Sequence, residues 1–553
     1  MKRKDWLAYT GLWTQPITMA LISYFIDIDV NFIMNHFKNF ISLFALSCAP
    51  AFYIWSQNSI AKNHGKQSFK LMDGLNQNLD PLYQSSLKNR AKYPTVSEEY
   101  LSSKPEGIIL GKHQGKFIRK KLNEDGHIFV IGGSGSGKST SIVIPTLLCN
   151  PDVEKFAIDI KGELSYKTCR LGDSKNLIFN PDDRSSWGYD PFYMLTPNST
   201  DQEIMECMQL VAVSLISLPA DIKEPYWKQS ARNLMTGLLI YYYKQGYTNL
   251  PDICSEILKE PMKDIIDKAT NKIEIISIEN MYLGSFKGMA DETLSGISSE
   301  MTLHITIFAT NQNIKYSFRE NPKKLNPNML NMGKSIFLSI KEEKLIIYYD
   351  ILQLILNQTL SELEKRPEAS TPILFIIDEL ARILSQGKLE KLLDAARTLR
   401  SRKVTLLLVT QSIEALLSSF AEHQVDDLIS NCSYVVVLSA STIKTQEKII
   451  SWSGKYKECK ISYSGVSKDR KKNISYEDKD IVEASDLVTL PDTSELILIS
   501  SKGYNRIKKA PYYKIDSLYK LSSEIIRHNS TIKEELNSSF ISEPIEQFTF
   551  KED

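Results

Sequence analysis

Residues Gly132–Ser139 read GGSGSGKS, a complete G-x-x-x-x-G-K-[ST] phosphate-binding motif. The run before it, His127–Ile131 (HIFVI), is apolar and rich in β-branched residues, which is typical of a buried strand. The residues after it, Thr140–Leu148, can begin a helix. A strand, a glycine-rich loop and a helix N-terminus together bind phosphate through backbone N–H groups and the helix dipole. A plain glycine- and serine-rich turn is the alternative, and this context disfavours it.

The motif assigns roles within this loop. Lys138 is expected to pair with the β- and γ-phosphates, and the Ser139 hydroxyl is expected to bind Mg²⁺. We therefore predict that the chain binds ATP together with Mg²⁺. The predicted nucleotide-binding residues are Gly132, Gly133, Ser134, Gly135, Ser136, Gly137, Lys138, Ser139 and Thr140.

Length and composition limit the possible classes of protein. A chain of 553 residues is too long for a single core, so two or three domains are expected. The 67 Lys and Arg residues nearly balance the 66 Asp and Glu residues, so any contact with DNA must come from local patches or from a ring-shaped assembly. The seven cysteines are scattered without a C-x-x-C pair, which favours reduced thiols over structural zinc or disulfides.

The amino terminus carries two uncharged runs, Trp6–Ile26 and Phe40–Trp55. Lysine and arginine precede the first run, lysines follow the second, and Asp27, Asp29, His36 and Lys38 lie between them. The positive-inside rule then predicts a two-span membrane anchor over residues 1–57, with both ends in the cytoplasm. A cleaved signal peptide and a soluble helical hairpin are the alternatives; no small-residue cleavage site follows the first run.

The alternation of strand-like and helical segments predicts an α/β fold with a parallel sheet. Predicted strands include Lys155–Ile160, Asn176–Phe179, Lys334–Ile340, Val404–Thr410, Ser433–Ser439 and Glu495–Ser500. Helical periodicity dominates residues 196–331, which predicts an all-α domain inserted into the nucleotide-binding domain. The predicted organisation is an anchor at 1–57, a stalk at 58–103, a RecA-like P-loop domain at 104–195 and 332–530, the insertion at 196–331, and a polar acidic tail at 531–553.

The segment Pro372–Leu380 reads PILFIIDEL, an apolar strand that ends in two carboxylates. This is the form of a Walker B element. Asp378 is expected to hold Mg²⁺, and Glu379 to act as the general base for the attacking water. The alternative is an Asp-Glu pair that only caps the next helix, and the upstream phosphate loop argues against it.

Polar residues flank the neighbouring strand. Gln411 follows its carboxyl end, where an amide can sense the γ-phosphate; a helix-initiating residue without a ligand is the alternative. Before the strand, Arg397, Arg400 and Arg402 are candidates for an arginine finger that reaches a neighbouring subunit. A solvated basic helix end is the competing interpretation.

Together these motifs resemble the type IV secretion coupling proteins (the TraG/TraD family), relatives of the FtsK and HerA motor ATPases. The resemblance depends on GGSGSGKST at 132–140, DIKGEL at 159–164, FIIDEL at 375–380 and VTQSIEAL at 409–416. It implies catalytic roles for Lys138, Asp378, Glu379, Gln411 and Arg400, with Asp159 and Glu163 matching the acidic positions of DIKGEL. The glycines that flank the finger in the family are absent here, which leaves Arg397 and Arg402 as rivals.

The resemblance also implies a biological setting. It predicts a homohexameric ATPase of the bacterial inner membrane that receives a relaxase-bound DNA strand and passes it to a type IV secretion channel. The basic runs at 119–121 and 468–472 are candidate DNA contacts, although such runs are more often solvated loops. Two other hypotheses remain: an FtsK-type DNA translocase, and an effector-docking receptor that uses ATP only as an assembly switch.

Overall fold

The computed structural model describes residues 81–90, 98–218, 222–272, 276–385, 389–464, 471–501 and 503–541. The two predicted spans, at about 6–26 and 40–55, lie outside these residues, as does most of the predicted stalk. Among the helices that are described, none is both long and apolar enough to cross a membrane.

The strands are short and lie mostly in one large sheet. Their bounds are β1 Leu101–Ser102, β2 Ile108–His113, β3 Lys116–Lys120, β4 His127–Ile131, β5 Glu154–Asp159, β6 Asn176–Phe179, β7 Gly188–Tyr189, β8 Lys324–Leu325, β9 Ser335–Ser339, β10 Ile373–Ile377, β11 Val404–Thr410, β12 Cys432–Val437, β13 Lys455–Ser464, β14 Lys471–Asp480, β15 Glu495–Ser500 and β16 Gly503–Lys508. The large sheet has the order β1-β3-β2-β16-β15-β12-β4-β11-β10-β5-β9-β6.

The sheet is parallel in one half and antiparallel in the other. Neighbouring strands from β12 to β6 pair in parallel, and those from β12 to β1 pair antiparallel. Every residue of β4, β10 and β11 is buried, as expected for parallel strands that are covered on both faces. Phe156 and Phe375 stack across β5 and β10 at 4.5 Å. The predicted α/β class is confirmed, with an antiparallel extension that makes the sheet mixed.

The helices connect the strands and also form a separate run before β8. Their bounds are α1 Pro81–Arg90, α2 Ile144–Cys149, α3 Glu163–Thr168, α4 Asp201–Leu215, α5 Pro225–Lys244, α6 Leu250–Ile257, α7 Met262–Lys272, α8 Ile278–Leu283, α9 Asp291–Thr310, α10 Gln312–Lys315, α11 Leu345–Glu364, α12 Leu380–Leu384, α13 Glu390–Thr398, α14 Ile413–Leu417, α15 Glu422–Ser430, α16 Ile443–Ser453, α17 Ala484–Thr489 and α18 Asp516–Ile541.

Helices α4 to α10 follow one another between β7 and β8. The run begins with a capping box, in which Thr200 and Glu203 satisfy each other's backbone N–H groups. Helix α5 contacts α4, α6, α8 and α9, and its Ala231, Leu234 and Leu238 are fully buried. These three residues recur at helical spacing, in agreement with the helical periodicity predicted for residues 196–331. The boundaries of the insertion, 196 and 331, stay a prediction.

The described residues divide into two compact units, one with residues 81–90, 455–464 and 471–479 and the other with the described residues between 98 and 454 and between 480 and 541. The first contains the β13–β14 hairpin, which sequence reasoning did not predict. Its strands are joined by ion pairs between Lys479 and Glu458 at 2.7 Å and between Lys460 and Glu477 at 3.3 Å. Opposite charges facing each other across antiparallel strands stabilise such a hairpin.

Helix α18 extends into the predicted acidic tail. It contacts α2 and α3, and its Asn529 side chain is completely buried. The Asn529 amide donates to the carbonyl oxygens of Tyr166 and Cys169 and accepts from the N–H of Leu171. These bonds satisfy backbone groups at the end of α3, where a helix leaves its last carbonyls without partners. The segment after residue 530 is therefore helical as far as Ile541.

Candidate functional site

The phosphate loop follows β4 at the carboxyl edge of the sheet. The N–H of Gly132 donates to the carbonyl of Thr410, the last residue of β11, at 3.1 Å. Gly137 has φ of +95°, a conformation that residues with a Cβ rarely adopt, and a Cβ on Gly132 would lie 2.4 Å from the Ser136 hydroxyl. The glycines of the motif are thus required by the path of the loop. A helical turn, Ser139–Val143, leads from it into α2.

Lys138 is folded back over this loop. Its side chain is buried, and its ammonium donates to the carbonyl oxygens of Gly132 at 2.7 Å and Gly133 at 3.2 Å. The carboxylate of Glu379 lies 3.8 Å away. Burial lowers the pKa of Lys138, and the nearby carboxylates oppose that shift. The cation that the motif requires is therefore positioned inside the loop.

Asp378 directly follows β10 and contacts the loop. Its Oδ2 accepts a hydrogen bond from the Ser139 hydroxyl at 3.0 Å, whereas its buried Oδ1 has no hydrogen-bond partner. Burial, together with the charge of Glu379, raises the pKa of Asp378 to about 6. A buried carboxylate oxygen without a partner is costly, so this geometry fits a site that receives a cation.

The oxygens of Ser139 and Asp378 are ligands of the kind that Mg²⁺ prefers. Across the described part of the chain, no cluster of three or more His, Cys, Asp or Glu side chains could hold a metal by itself. Such a pair fits Mg²⁺ in the way that nucleotide sites use it, with few protein ligands and the rest from phosphate and water.

Glu379 adopts a left-handed backbone conformation, with φ of +66°, which costs a residue with a side chain about 1–3 kcal/mol. Its buried carboxylate accepts hydrogen bonds from the ammonium of Lys161 at 2.9 Å and from the amide of Gln411 at 3.0 Å. Burial raises the pKa of Glu379, but the hydrogen bonds and the charges of both lysines outweigh it and lower that pKa. The strained backbone directs this carboxylate towards the loop.

Gln411 and Ser439 complete the edge of the sheet. Gln411 follows β11, and its contact in the structure is with Glu379. The Ser439 hydroxyl, just beyond β12, accepts a hydrogen bond from the N–H of Gly133 at 2.7 Å. The remaining loop hydroxyls are arranged differently: Ser134 is exposed, Ser136 is buried without a hydrogen-bond partner, and Thr140 donates to the carbonyl of Gly137.

The DIKGEL segment contributes a residue that the sequence reasoning overlooked. Asp159 accepts hydrogen bonds from the N–H and hydroxyl of Ser165, which places its carboxylate at the start of α3. Glu163 pairs with Lys167 at 2.6 Å. Lys161, between them, is the side chain that reaches Glu379. A lysine two residues after the end of β5, the strand that pairs with β10, was the available signal.

The candidate arginines lie away from the phosphate loop. Arg400 is exposed in the turn before β11, at the amino edge of the sheet, whereas the phosphate loop is at the carboxyl edge. Arg397 pairs with Asp427 at 2.9 Å. The structure thus brings together Lys138, Ser139, Asp378, Glu379 and Gln411 within the chain, but not Arg400. A role in a neighbouring subunit stays a prediction.

The basic run at 119–121, a candidate DNA contact, is not a free basic patch. Arg119 pairs with Glu106 at 2.8 Å, and Lys120 is completely buried, where it donates to the hydroxyl of Thr405 at 3.2 Å. Two of the three charges in the run at 119–121 are therefore engaged within the fold, and Lys121 is the exposed one. Most of the other run, 468–472, lies outside the described residues.

Known proteins are similar to this chain in sequence. VirD4 of Rhizobium radiobacter is 24% identical over 454 residues, which cover 76% of this chain and 62% of that protein. VirD4 of Bartonella quintana, named a type IV secretion system-coupling protein, is 21% identical over 418 residues, 70% of this chain and 63% of that protein. The chain thus spans less than two thirds of the length of these relatives.

Solved structures of the conjugative coupling protein TrwB are similar in fold. The unbound TrwBdeltaN70 superposes with a TM-score of 0.59 at 15% identity, covering 77% of this chain and 91% of that chain. TrwB with ADP and Mg²⁺ gives a TM-score of 0.58 at 15% identity and covers 77% and 92%. The family model described as Type IV secretory system Conjugative DNA transfer matches residues 79–541. Because that match extends over far more than half of the sequence, the chain belongs to this family and is a type IV secretion coupling protein.

Proposed function

We propose that this protein is an ATPase that couples ATP hydrolysis to the transfer of DNA through a type IV secretion channel. The observation that carries the proposal is the convergence of Lys138, Ser139, Asp378, Glu379 and Gln411 at one edge of the sheet. At this edge, the oxygen of Asp378 that has no partner and the buried ammonium of Lys138 are arranged as a site for Mg²⁺ and a triphosphate. TrwB, which has the same fold, has been solved with ADP and Mg²⁺ and with a non-hydrolysable ATP analogue.

Each residue of the site has its own role in the proposed hydrolysis. The loop N–H groups and Lys138 bind the phosphates, since the dipoles and the cation are held in place by the fold. Ser139 and Asp378 would hold Mg²⁺, which when bound offsets negative charge on the phosphate oxygens. Glu379 orients the attacking water and accepts its proton, and Gln411 senses whether a γ-phosphate is present.

The cellular setting is part of the proposal. We infer that the two uncharged runs at 6–26 and 40–55 anchor the protein in the bacterial inner membrane, with the bulk of the chain in the cytoplasm. A homohexamer would supply Arg400 to the neighbouring site and surround a relaxase-bound DNA strand. A near-neutral chain can still bind DNA if several copies line a pore with basic side chains.

The proposal is tested with the full-length protein purified from membranes. Wild type is expected to hydrolyse ATP faster when single-stranded DNA is added. Lys138→Ala should lower the rate by about a hundredfold or more, because it removes the cation on the β- and γ-phosphates. Lys167→Ala is the matched control, since Lys167 pairs with Glu163 on the surface. The same two variants are then compared for conjugal transfer in cells.

The outcomes separate the candidate functions. Loss of both hydrolysis and transfer in Lys138→Ala, with the protein still in the membrane, supports the coupling ATPase. Nucleotide binding without turnover at any protein concentration, with or without DNA, would favour the effector-docking receptor. Normal transfer by Lys138→Ala would show that hydrolysis at this site does not drive transfer.

A further inference from the structure

Both oxygens of Glu379, the proposed general base, are already occupied. Lys161 donates to Oε1 at 2.9 Å, and Gln411 donates to Oε2 at 3.0 Å. Lys138 lies 3.8 Å from the same Oε1. A carboxylate held by one ammonium and one amide is a poor proton acceptor, because both donors stabilise its ionised form. The contacts therefore describe a resting arrangement rather than one ready for hydrolysis.

Two ammonium groups share one carboxylate oxygen here. Lys138 is deeply buried, whereas the side chain of Lys161 is 42% exposed and reaches Glu379 from the open side of the site. The other nearby carboxylate, Asp378, is held by Ser139. Two ammonium groups therefore face two carboxylates here, and Lys161 is the cation that solvent and an incoming anion can reach.

The position of Lys161 allows it to move. It follows β5, the strand next to β10 on the side away from β11, so it approaches Glu379 from the opposite side to Gln411. The next residue, Gly162, has φ of +68° and begins the turn into α3. A lysine ammonium is a compact charge on a flexible stem, so a partly exposed lysine can change its partner without a change in the backbone.

We propose that Lys161 holds Glu379 in the absence of a triphosphate and moves to the γ-phosphate when ATP binds, which releases Glu379 to the attacking water. This inference rests on the proposed function and adds a γ-phosphate contact in the DIKGEL segment. The phosphate oxygens compete for Lys161 because they carry more negative charge than one carboxylate. A purely structural ion pair, which only fastens the turn after β5, is the competing explanation.

The test measures the dissociation constants of full-length protein, in detergent with Mg²⁺, for ADP and for a non-hydrolysable ATP analogue. Lys161→Met should weaken binding of the ATP analogue by about tenfold and change ADP binding by less than about twofold, because only the analogue has a γ-phosphate. Lys161→Arg keeps the charge and should restore most of the loss. Lys167→Met removes a lysine whose partner is the surface residue Glu163 and should change neither constant.

The same Lys161→Met substitution in a Glu379→Gln protein distinguishes a contact with the γ-phosphate from a role in positioning Glu379. In Glu379→Gln the charged partner of Lys161 is gone, so the effect of Lys161→Met on the ATP analogue should persist if Lys161 contacts the γ-phosphate. Its disappearance in that background, equal weakening of both nucleotides, or no weakening at all would each overturn the inference while leaving the ATPase proposal intact. Wild type that bound neither nucleotide would overturn both.

Discussion

Both edges of the central sheet bury polar side chains, but the hydrogen bonds of these side chains are complete at the amino edge and incomplete at the carboxyl edge. At the amino edge, a closed cluster of His127 and Lys120 has its bonds satisfied by the fold. His127 donates through Nε2 to the carbonyl of Ala396 at 2.9 Å and accepts at Nδ1 from the N–H of Leu406 at 3.1 Å. Lys120 donates to the carbonyls of Lys121 and Glu124 and to the hydroxyl of Thr405.

At the carboxyl edge, an open cluster of Ser136 and Asp378 contains buried oxygens without partners. Burial alone therefore does not distinguish a functional group from a structural one in this sheet. Completed hydrogen bonds rigidify a fold, whereas missing ones are a cost that persists where a ligand will supply the partner. The comparison predicts that substitutions at the open edge affect activity and that substitutions at the closed edge affect stability.

The largest effect is expected at Asp378. Asp378→Asn keeps the shape but removes the charge that we propose holds Mg²⁺, so the rate of ATP hydrolysis should fall by about a hundredfold or more. Its thermal unfolding midpoint without nucleotide should be unchanged or higher, because a buried carboxylate with an unsatisfied oxygen is gone. Steady-state hydrolysis and a thermal melt measure the two quantities. Asp152→Asn, at a residue whose side chain is 94% exposed, is the control. A lower unfolding midpoint together with normal hydrolysis would show that Asp378 contributes to stability and not to activity.

His127→Leu should show the reverse behaviour. It leaves the carbonyl of Ala396 and the N–H of Leu406 buried without partners, which should cost about 2–4 kcal/mol of unfolding free energy. Denaturant unfolding measures this loss, and the dissociation constant for ADP should stay close to that of wild type under native conditions. His423→Leu, at an exposed position of α15, serves as the control. Stability equal to wild type would mean that the closed cluster contributes nothing.

The closed cluster also predicts a dependence on pH. Burial lowers the pKa of His127 to about 4, so the unfolded chain binds a proton below about pH 6.5 that the folded chain does not bind until about pH 4. Folding stability contributed by this residue is present above pH 6.5 and falls as the pH drops towards 4, by about 2–3 kcal/mol at pH 4.5. Unfolding curves at pH 7.5 and 4.5 should differ less for His127→Leu than for wild type. An equal pH dependence in both proteins would rule out His127 as its source.

The smallest effect is expected at the surface of the amino edge. Arg397 and Asp427 are both partly exposed and pair at 2.9 Å, so Arg397→Ala should change unfolding free energy by less than about 1 kcal/mol. It should also leave hydrolysis unchanged, whereas Arg400→Ala should lower hydrolysis only under conditions where the protein assembles. Concentration-dependent hydrolysis assays compare the two variants. A loss of hydrolysis in Arg397→Ala alone would identify Arg397, and not Arg400, as the arginine finger.

Much of the parallel half of the sheet could be predicted. The bounds of β4, β6 and β11 agree with the predicted strands, because a buried strand reads as a continuous apolar run. The residues Lys138, Asp378 and Gln411 could be grouped in advance, since the carboxyl ends of neighbouring parallel strands lie at one edge.

Strands and helices of polar composition were harder to predict. The strand β16, GYNRIK, and the hairpin strands β13 and β14 are rich in polar and charged residues, which hides the alternation that marks a strand. Helix α18 continues into the predicted polar tail at 531–553, because its polar composition does not reveal that Asn529 satisfies the end of α3.

The sequence by itself determined the α/β class, the phosphate loop at Gly132–Ser139 and the acidic strand that ends at Asp378 and Glu379, because each of these depends on local residue pattern. Only the tertiary structure decided which polar groups are satisfied and which are not. Lys161 and Glu379 are 218 residues apart in the chain, and their contact follows from the pairing of β5 with β10. Local periodicity determines the position of a strand, but the partner of a buried charge depends on which strands become neighbours.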